Sequence, residues 1–303
     1  MFASAALLAL VAQQIVIPLG RANRVEKLPA PIAAAGPAFA RTCTDFDEWD
    51  KPAPPVRIHG NSYYVGTCGI SAILITGTDG HVLIDSGTEA GAELVAANIR
   101  RLGFKLSDVR WLLHSHEHHD HVGGFARLQA LTGAQVAASA EAAPVLRSGR
   151  ASKDDPQFGS LPAMPPVAVA RIVKGGDKLR LGAIQLTAVA TPGHTAGALS
   201  WQWVSCEGGV CRTMVLADSL SPVSRDDYRF TDHPEVVAGF RAGIARIAAL
   251  DCDIVTTPHP SASDMVKRFG AGQPLLDPSG CRDYAAAKTK ALDERLAKEG
   301  AAK

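Results

Sequence analysis

Residues 114–121 read His-Ser-His-Glu-His-His-Asp-His, five imidazoles in eight positions. Core packing does not explain such a run, because each buried neutral imidazole needs a hydrogen-bond partner. Imidazole is, by contrast, a good ligand for zinc. Side chains of an extended chain alternate with period two, so His116 and His118 project to one side and can share a metal. Asp120 and His121 follow where the chain starts to turn, and can point to a second metal. Asp120 is the only aspartate of the run, so the pattern H-x-H-x-D-H fits in one register. That register leaves His114 and His119 as exposed or supporting residues. Two further histidines end β-rich runs on stiff turns: His194 in Thr191-Pro192-Gly193-His194-Thr195, and His259 in Pro258-His259-Pro260. Rigid scaffolds place functional side chains in such loops. A catalytic zinc typically keeps three protein ligands and one open position for water. Six ligands, His116, His118, Asp120, His121, His194 and His259, therefore serve two Zn2+ ions per chain. His59, His81 and His233 have no such context and read as structural or surface residues.

The chemistry this permits is hydrolysis by a metal-bound hydroxide, since bound zinc lowers the pKa of water from 15.7 to about 7. A serine mechanism is set aside, because the chain carries neither S-x-x-K nor G-x-S-x-G. A non-catalytic zinc site is disfavoured too. Structural zinc sites are closed and often thiolate-rich, whereas these donors are imidazole and carboxylate.

Such a cluster needs a rigid carrier. Val109 to Leu113 is a short apolar run, a buried strand leading straight into the histidines. Gly123 and Gly124 then let a helix begin close by, running to Leu131, with a strand at Ala134 to Ala138. Upstream, Ser71 to Thr76 and His81 to Asp85 are β-rich runs joined by Gly77-Thr78-Asp79-Gly80, a hairpin signal. Ala90 to Leu102 has helical spacing and stops at Gly103. Ser148 to Pro166 has no periodicity and four prolines. It reads as an active-site wall, in which Gln157 and Phe158 could touch a bulky substrate, or as a plain linker. Strands follow at Leu179 to Leu186 and Leu199 to Val204. Glu235 to Leu250 is an amphipathic helix, with Val236, Val237, Phe240, Ile244 and Ile247 on one face. Ile254 to Thr257 is a strand, and Ser279 to Lys298 a surface helix. Strands and helices mix in both halves, which suits an α/β unit with two central sheets and helices outside.

The chain has 303 residues, 47% of them apolar, and a formal net charge of +1. Without a basic or acidic block, nucleic acid and anionic membrane surfaces are not favoured as partners. The first forty residues hold an apolar run, Ala5 to Val16, and end in Ala38-Phe39-Ala40 before Arg41. They read as a signal peptide, residues 1–40, ahead of a domain at 41–303. Two features depart from that pattern: no Lys or Arg precedes the run, and Arg21, Arg24 and Lys27 follow it. The run is short of the roughly 20 residues that span a bilayer, so no stable membrane insertion is expected after processing. Cys43, Cys68, Cys206, Cys211, Cys252 and Cys281 all follow Ala40, and an even count suits disulfides in an oxidising, periplasmic or secreted setting. Six cysteines allow 15 pairings; chain order suggests Cys43–Cys68, Cys206–Cys211 and Cys252–Cys281.

His116-x-His118-x-Asp120-His121, Thr191-Pro192-Gly193-His194 and Thr257-Pro258-His259-Pro260 together resemble the metallo-β-lactamase superfamily. Asp85, in Val82-Leu83-Ile84-Asp85-Ser86-Gly87, resembles that family's first motif, a buried aspartate behind the metals. The resemblance runs from Asn61 to Pro260. It implies a four-layered αβ/βα sandwich, two mixed sheets flanked by helices, with the site at one edge. Asn61 to Thr67, Thr195 to Trp201 and Ala217 to Ser221 resemble subclass B3 metallo-β-lactamases in particular. By that resemblance His116, His118 and His194 hold the first zinc, and Asp120, His121 and His259 the second. Asp120 also orients the hydroxide. Ser219 takes the place of a cysteine ligand in other subclasses, and Ser219 and Ser221 meet the substrate carboxylate. The implied activity is opening of the β-lactam ring of penicillins, cephalosporins or carbapenems by a monomer. One feature leaves an alternative open. Glyoxalase II-like thioesterases and lactonases of the superfamily bridge their metals with an aspartate in a G-D-x-L context, and Asp218 lies in Ala217-Asp218-Ser219-Leu220.

Overall fold

The computed structural model describes residues 35–271 and 275–301; the apolar run Ala5 to Val16 lies outside them. Two sheets are built from short apolar strands whose alternate side chains are buried on opposite faces. In the first, all pairs are neighbours in chain order: β1 (Val56–His59), β2 (Ser62–Tyr64), β3 (Ile73–Ile75), β4 (His81–Ile84), β5 (Val109–Leu113), β6 (Gln135–Ala138) and β7 (Val169–Ile172). The pairs from β1 to β4 are antiparallel and those from β4 to β7 parallel. The second sheet has the order β12-β11-β10-β9-β8. Its strands are β8 (Lys178–Leu181), β9 (Ile184–Ala190), β10 (Leu199–Glu207), β11 (Val210–Leu216) and β12 (Ile254–Thr256). Within this sheet only the β11–β12 pair is parallel among the described residues.

Period-two alternation divides each strand between two cores. Val82 and Ile84 of β4 face the second sheet, where they join Leu186, Trp201, Met214 and Leu216. Leu83, between them, faces outward with Leu74 and Leu112 onto helix α2 (Gly91–Arg101). That helix presents Ala92, Val95, Ala96 and Ile99 at helical spacing. Val215 and Val255 of the second sheet face helix α6 (Pro234–Ala248) through Phe240, Ile244 and Ile247, and helix α8 (Gly280–Ala301) through Tyr284 and Leu292. The layers are thus helix, sheet, sheet, helix, the sandwich expected from the sequence. Strands buried on both faces read as continuous apolar runs, as β4 does.

Some expectations agree with the structure and one, the strand over Leu179 to Leu186, is corrected. Helix α1 (Ala35–Thr42) runs across the boundary expected after Ala40. Phe39 within it is fully buried, edge-on to Tyr64 and Phe269 at 5.1 and 5.0 Å. The strand expected over Leu179 to Leu186 is two, β8 and β9, turning at Gly182, whose φ is +55°. Residues 149–168 hold no helix or strand, as expected, and follow helix α5 (Ala142–Ser148). The sulfurs of Cys43 and Cys68, Cys206 and Cys211, and Cys252 and Cys281 are paired as chain order suggested. No helix among the described residues is long and apolar enough to cross a membrane.

Candidate metal centre

The functional segments all leave the carboxyl ends of strands at one edge of the sandwich. Asp85 follows β4, and the histidine run follows β5. Thr191 to His194 follow β9, Ala217 to Ser221 follow β11, and Thr257 to His259 follow β12. The run itself turns from extended chain at His118 (φ −77°, ψ 152°) into the short helix α3 (His119–Val122), which carries Asp120 and His121. His194 owes its place to Gly193, whose φ is +147° and where a Cβ would lie 2.6 Å from Phe240. Asp85 (φ +61°) and Leu220 (φ +44°), beside the donors, have left-handed backbones, as does Phe46 (φ +61°) on the adjoining cavity. Such conformations are held at a cost, and cluster where geometry serves function.

Two groups of donors result. His116, His118 and His194 bring one ligand atom each to within 4.8 Å of one another, and so do His116, Asp120 and His121. His259 completes the second group. Its Nε2 lies 3.3 Å from His121 Nε2 and 3.5 Å from Asp120 Oδ2, and Asp120 Oδ2 lies 3.0 Å from His121 Nε2. The six side chains expected to be ligands thus lie together at one edge. His114 and His119 stand outside both groups. His114 Nε2 accepts from the Ser139 amide at 3.1 Å, while His119 packs against Trp49.

The outer ring nitrogens are held by the chain. His116 Nδ1 meets Asp218 Oδ1 at 2.8 Å, His118 Nε2 meets Asp155 Oδ2 at 2.9 Å, His194 Nδ1 meets the Ser221 carbonyl at 2.8 Å and His259 Nδ1 meets the Gly69 carbonyl at 3.3 Å. Such partners fix the tautomer and ring orientation of ligating histidines. Asp85 lies behind the centre, as expected. Its two oxygens accept from the Ser115 amide (2.7 Å) and hydroxyl (2.6 Å), and Oδ2 comes within 3.4 Å of His121 Nδ1. Glu117 turns away and accepts from Thr195 Oγ1 and the Gly197 amide, tying the two histidine loops together.

Electrostatics favour a cation here. Burial, reinforced by the neighbouring imidazoles, holds His116 and His194 well below the usual histidine range. Burial and the charge of His121 press His259 down to about 4. Neutral imidazole is the ligating form. Burial opposes ionisation of Asp120, but His121, His259 and His118 outweigh it and hold the carboxyl far below the carboxylate range. Burial likewise opposes charging of His121, yet Asp120 and Asp85 raise it to about 10. His116 Nε2 is buried without a hydrogen-bond partner. A buried orphan nitrogen facing a ring of donors is costly unless something binds it, and a divalent cation fits this donor set.

Two neighbours of the site, Asp155 and Lys288, carry no signal that the sequence reading used, and a third, Asp218, was left open by it. Asp155 lies in the wall loop, buried, two residues from the expected Gln157; the Gln157 amide donates to Asp155 Oδ1 at 2.7 Å, and Gln157 itself is half-buried. Asp218, left ambiguous by the sequence, is fully buried with Oδ1 behind His116. Lys288 reaches Ser221 Oγ from α8 at 2.8 Å. Its signal was available, since Lys288 shares helical spacing with the buried Cys281, Tyr284, Ala285 and Leu292. Ser219 and Ser221 line a cavity of about 430 Å³ with His259, Lys288 and Trp49.

The family model for the metallo-beta-lactamase superfamily matches residues 65–259. Among solved structures, the MIM-2 metallo-beta-lactamase is 56% identical, with 88% of this chain and 98% of that chain covered, at a TM-score of 0.84. MEM-A1, a subclass B3 metallo-beta-lactamase from a soil metagenome library, is 44% identical, with 84% and 100% covered, at a TM-score of 0.81. A hydroxyacylglutathione hydrolase of Anaeromyxobacter dehalogenans is 30% identical over 179 residues, 54% of this chain and 58% of that protein. The chain spans about half the length of the curated relatives it matches.

Proposed function

The chain belongs to the metallo-beta-lactamase superfamily, and on that footing we propose that it is a zinc-dependent β-lactam hydrolase. His116, His118 and His194 would hold one Zn2+, and Asp120, His121 and His259 the other. Zinc bound there supplies a Lewis acid for the amide carbonyl and lowers the pKa of water to about 7. The residues behind the ligands keep the donors aimed before substrate arrives, which is what electrostatic preorganisation requires. Asp120 would also orient the attacking water through its carboxylate. Ser219 Oγ is buried without a partner and is a ready donor to the substrate carboxylate, with Ser221 beside it in the same cavity. Gln157 would touch the substrate from the wall loop.

The observation that carries this reading against a thioesterase or lactonase is the direction of Asp218. An aspartate that bridges two metals must point between both ligand groups, whereas Asp218 Oδ1 is engaged with the outer nitrogen of His116, which leaves only its buried, unpartnered Oδ2 for any other role. The sequence likeness to hydroxyacylglutathione hydrolases keeps a thioesterase as the second reading. No protein nucleophile is needed, so no covalent acyl adduct should accumulate. Mass spectrometry at steady state with a cephalosporin should find unmodified protein, and a stoichiometric acyl adduct would refute the mechanism. His116→Ala should lose at least about a thousandfold in cephalosporin kcat/KM, in the range for removing one catalytic group.

The reading includes export to the periplasm, three oxidised disulfides and a monomer. Because Phe39 is part of the core, the proposed mature chain begins ahead of Gly36 rather than after Ala40. N-terminal peptide mapping of exported protein checks it.

A further inference from the structure

Lys288 is an ammonium in an unusual position. It projects from α8, and Nζ donates to Ser221 Oγ at 2.8 Å. It lies 5.0 Å from the Tyr284 ring centroid. Among the described residues no carboxylate comes within ion-pair distance of it. Asp47, the carboxylate that lines the same cavity, is engaged by Lys51 at 3.0 Å. Asp218 acts on it only through its charge, without a direct contact. A partly buried cation without a paired anion is costly, and it is not needed to hold Ser221, whose hydroxyl also reaches the Ser219 carbonyl at 3.1 Å. The cavity that Lys288 lines also holds His259, Ser219 and Ser221, and opens past the exposed Phe46 and Trp49.

We propose that Lys288 is a substrate-binding residue, whose ammonium pairs with the anionic carboxylate of the substrate once its reacting bond lies at the donor groups beside His259. The inference rests on the hydrolase reading and deepens it, by making the enzyme selective for anionic over neutral substrates. A charged partner makes a hydrogen bond roughly twice as strong as a neutral one. Ser221 then aims the lysine as much as it contacts the ligand itself.

The test compares benzylpenicillin with its methyl ester on zinc-loaded wild type, Lys288→Met and Lys288→Arg. Lys288→Met keeps the apolar stem and removes the charge. It should raise KM for the acid about tenfold or more, leave kcat within about twofold, and leave the ester unchanged. Lys288→Arg should keep most of the preference for the acid. A merely structural lysine would instead move acid and ester together, and that result would overturn the proposal. A second measurement does not depend on turnover: the rise in Tm of the zinc-loaded protein with mercaptoacetate against its methyl ester. Wild type should be stabilised more by the acid, and Lys288→Met equally by both. If no β-lactam is turned over, the function falls while this pair still decides the lysine. Equal stabilisation of wild type by acid and ester would refute the lysine's role alone.

Discussion

At the scale of single residues, the proposed ligands were legible because imidazole is rare and five occur in eight positions. Their supports were not, because the fold alone chooses them. Asp155 lies 37 residues from His118, and Asp218 lies 102 from His116. Outer partners of ligating histidines typically contribute 10- to 100-fold in metal affinity. Asp155→Ala should therefore weaken zinc binding by about that factor, read by competition with a chromophoric chelator. Unchanged affinity would reduce the loop to a wall. Lys288 adds a pH dependence. Burial pushes its ammonium down to about 8, with Asp218 opposing. The groups around it are Ser221, Tyr284, Asp218 and His259. The lysine is charged below that pH and loses its proton as the pH rises through it. KM for benzylpenicillin should thus climb above about pH 8, while KM for the methyl ester stays level. A parallel rise for both would assign the effect to another group.

At the scale of elements, the strands that deliver the site were read well, and the peripheral ones poorly. β4 is buried throughout, and β5 at Val109 and from Leu112 into the site. β1 and β7 are short and partly exposed, so nothing in their composition separates them from loop. The β8–β9 hairpin was read as one strand because Leu181 and Ile184 keep the apolar run going across Gly182. Ala38-Phe39-Ala40 reads as a cleavage site in the sequence, while in the structure Phe39 packs on Tyr64 and Phe269, which are remote in sequence. Phe39→Ala should cost about 3 to 5 kcal/mol, as for other buried phenylalanines, measured by urea unfolding. A change under about 1 kcal/mol would return α1 to the leader. Gly193→Ala tests the turn that aims His194. Its Cβ would collide with Phe240 on an already left-handed backbone, costing about 1 to 3 kcal/mol. Activity should fall further than stability alone explains, since the turn carries a proposed ligand. Stability lost with kcat/KM unchanged would contradict that.

At the scale of the molecule, two sheets bring five strand ends to one edge, and three sulfur pairs at bonding distance, the proposed disulfides, lie at the periphery. Cys252 and Cys281 join the segment before β12 to the start of α8, 29 residues apart. Closing a loop of that length is worth roughly 3 to 4 kcal/mol in the chain-entropy model. The paired change Cys252→Ser and Cys281→Ser should lower stability by about that much. It should also raise KM for anionic substrates, because α8 carries Lys288. The central claim is that this edge is a zinc centre for β-lactams rather than thioesters. Its most direct test is kcat/KM of one preparation for a chromogenic cephalosporin and for S-lactoylglutathione, before chelation, after chelation and after zinc is restored. The account predicts cephalosporin turnover at least about a hundredfold more efficient than the thioester's, abolished by chelation and recovered with two zincs per chain. Preferential thioester hydrolysis, or cephalosporin turnover that survives complete removal of metal, would contradict it.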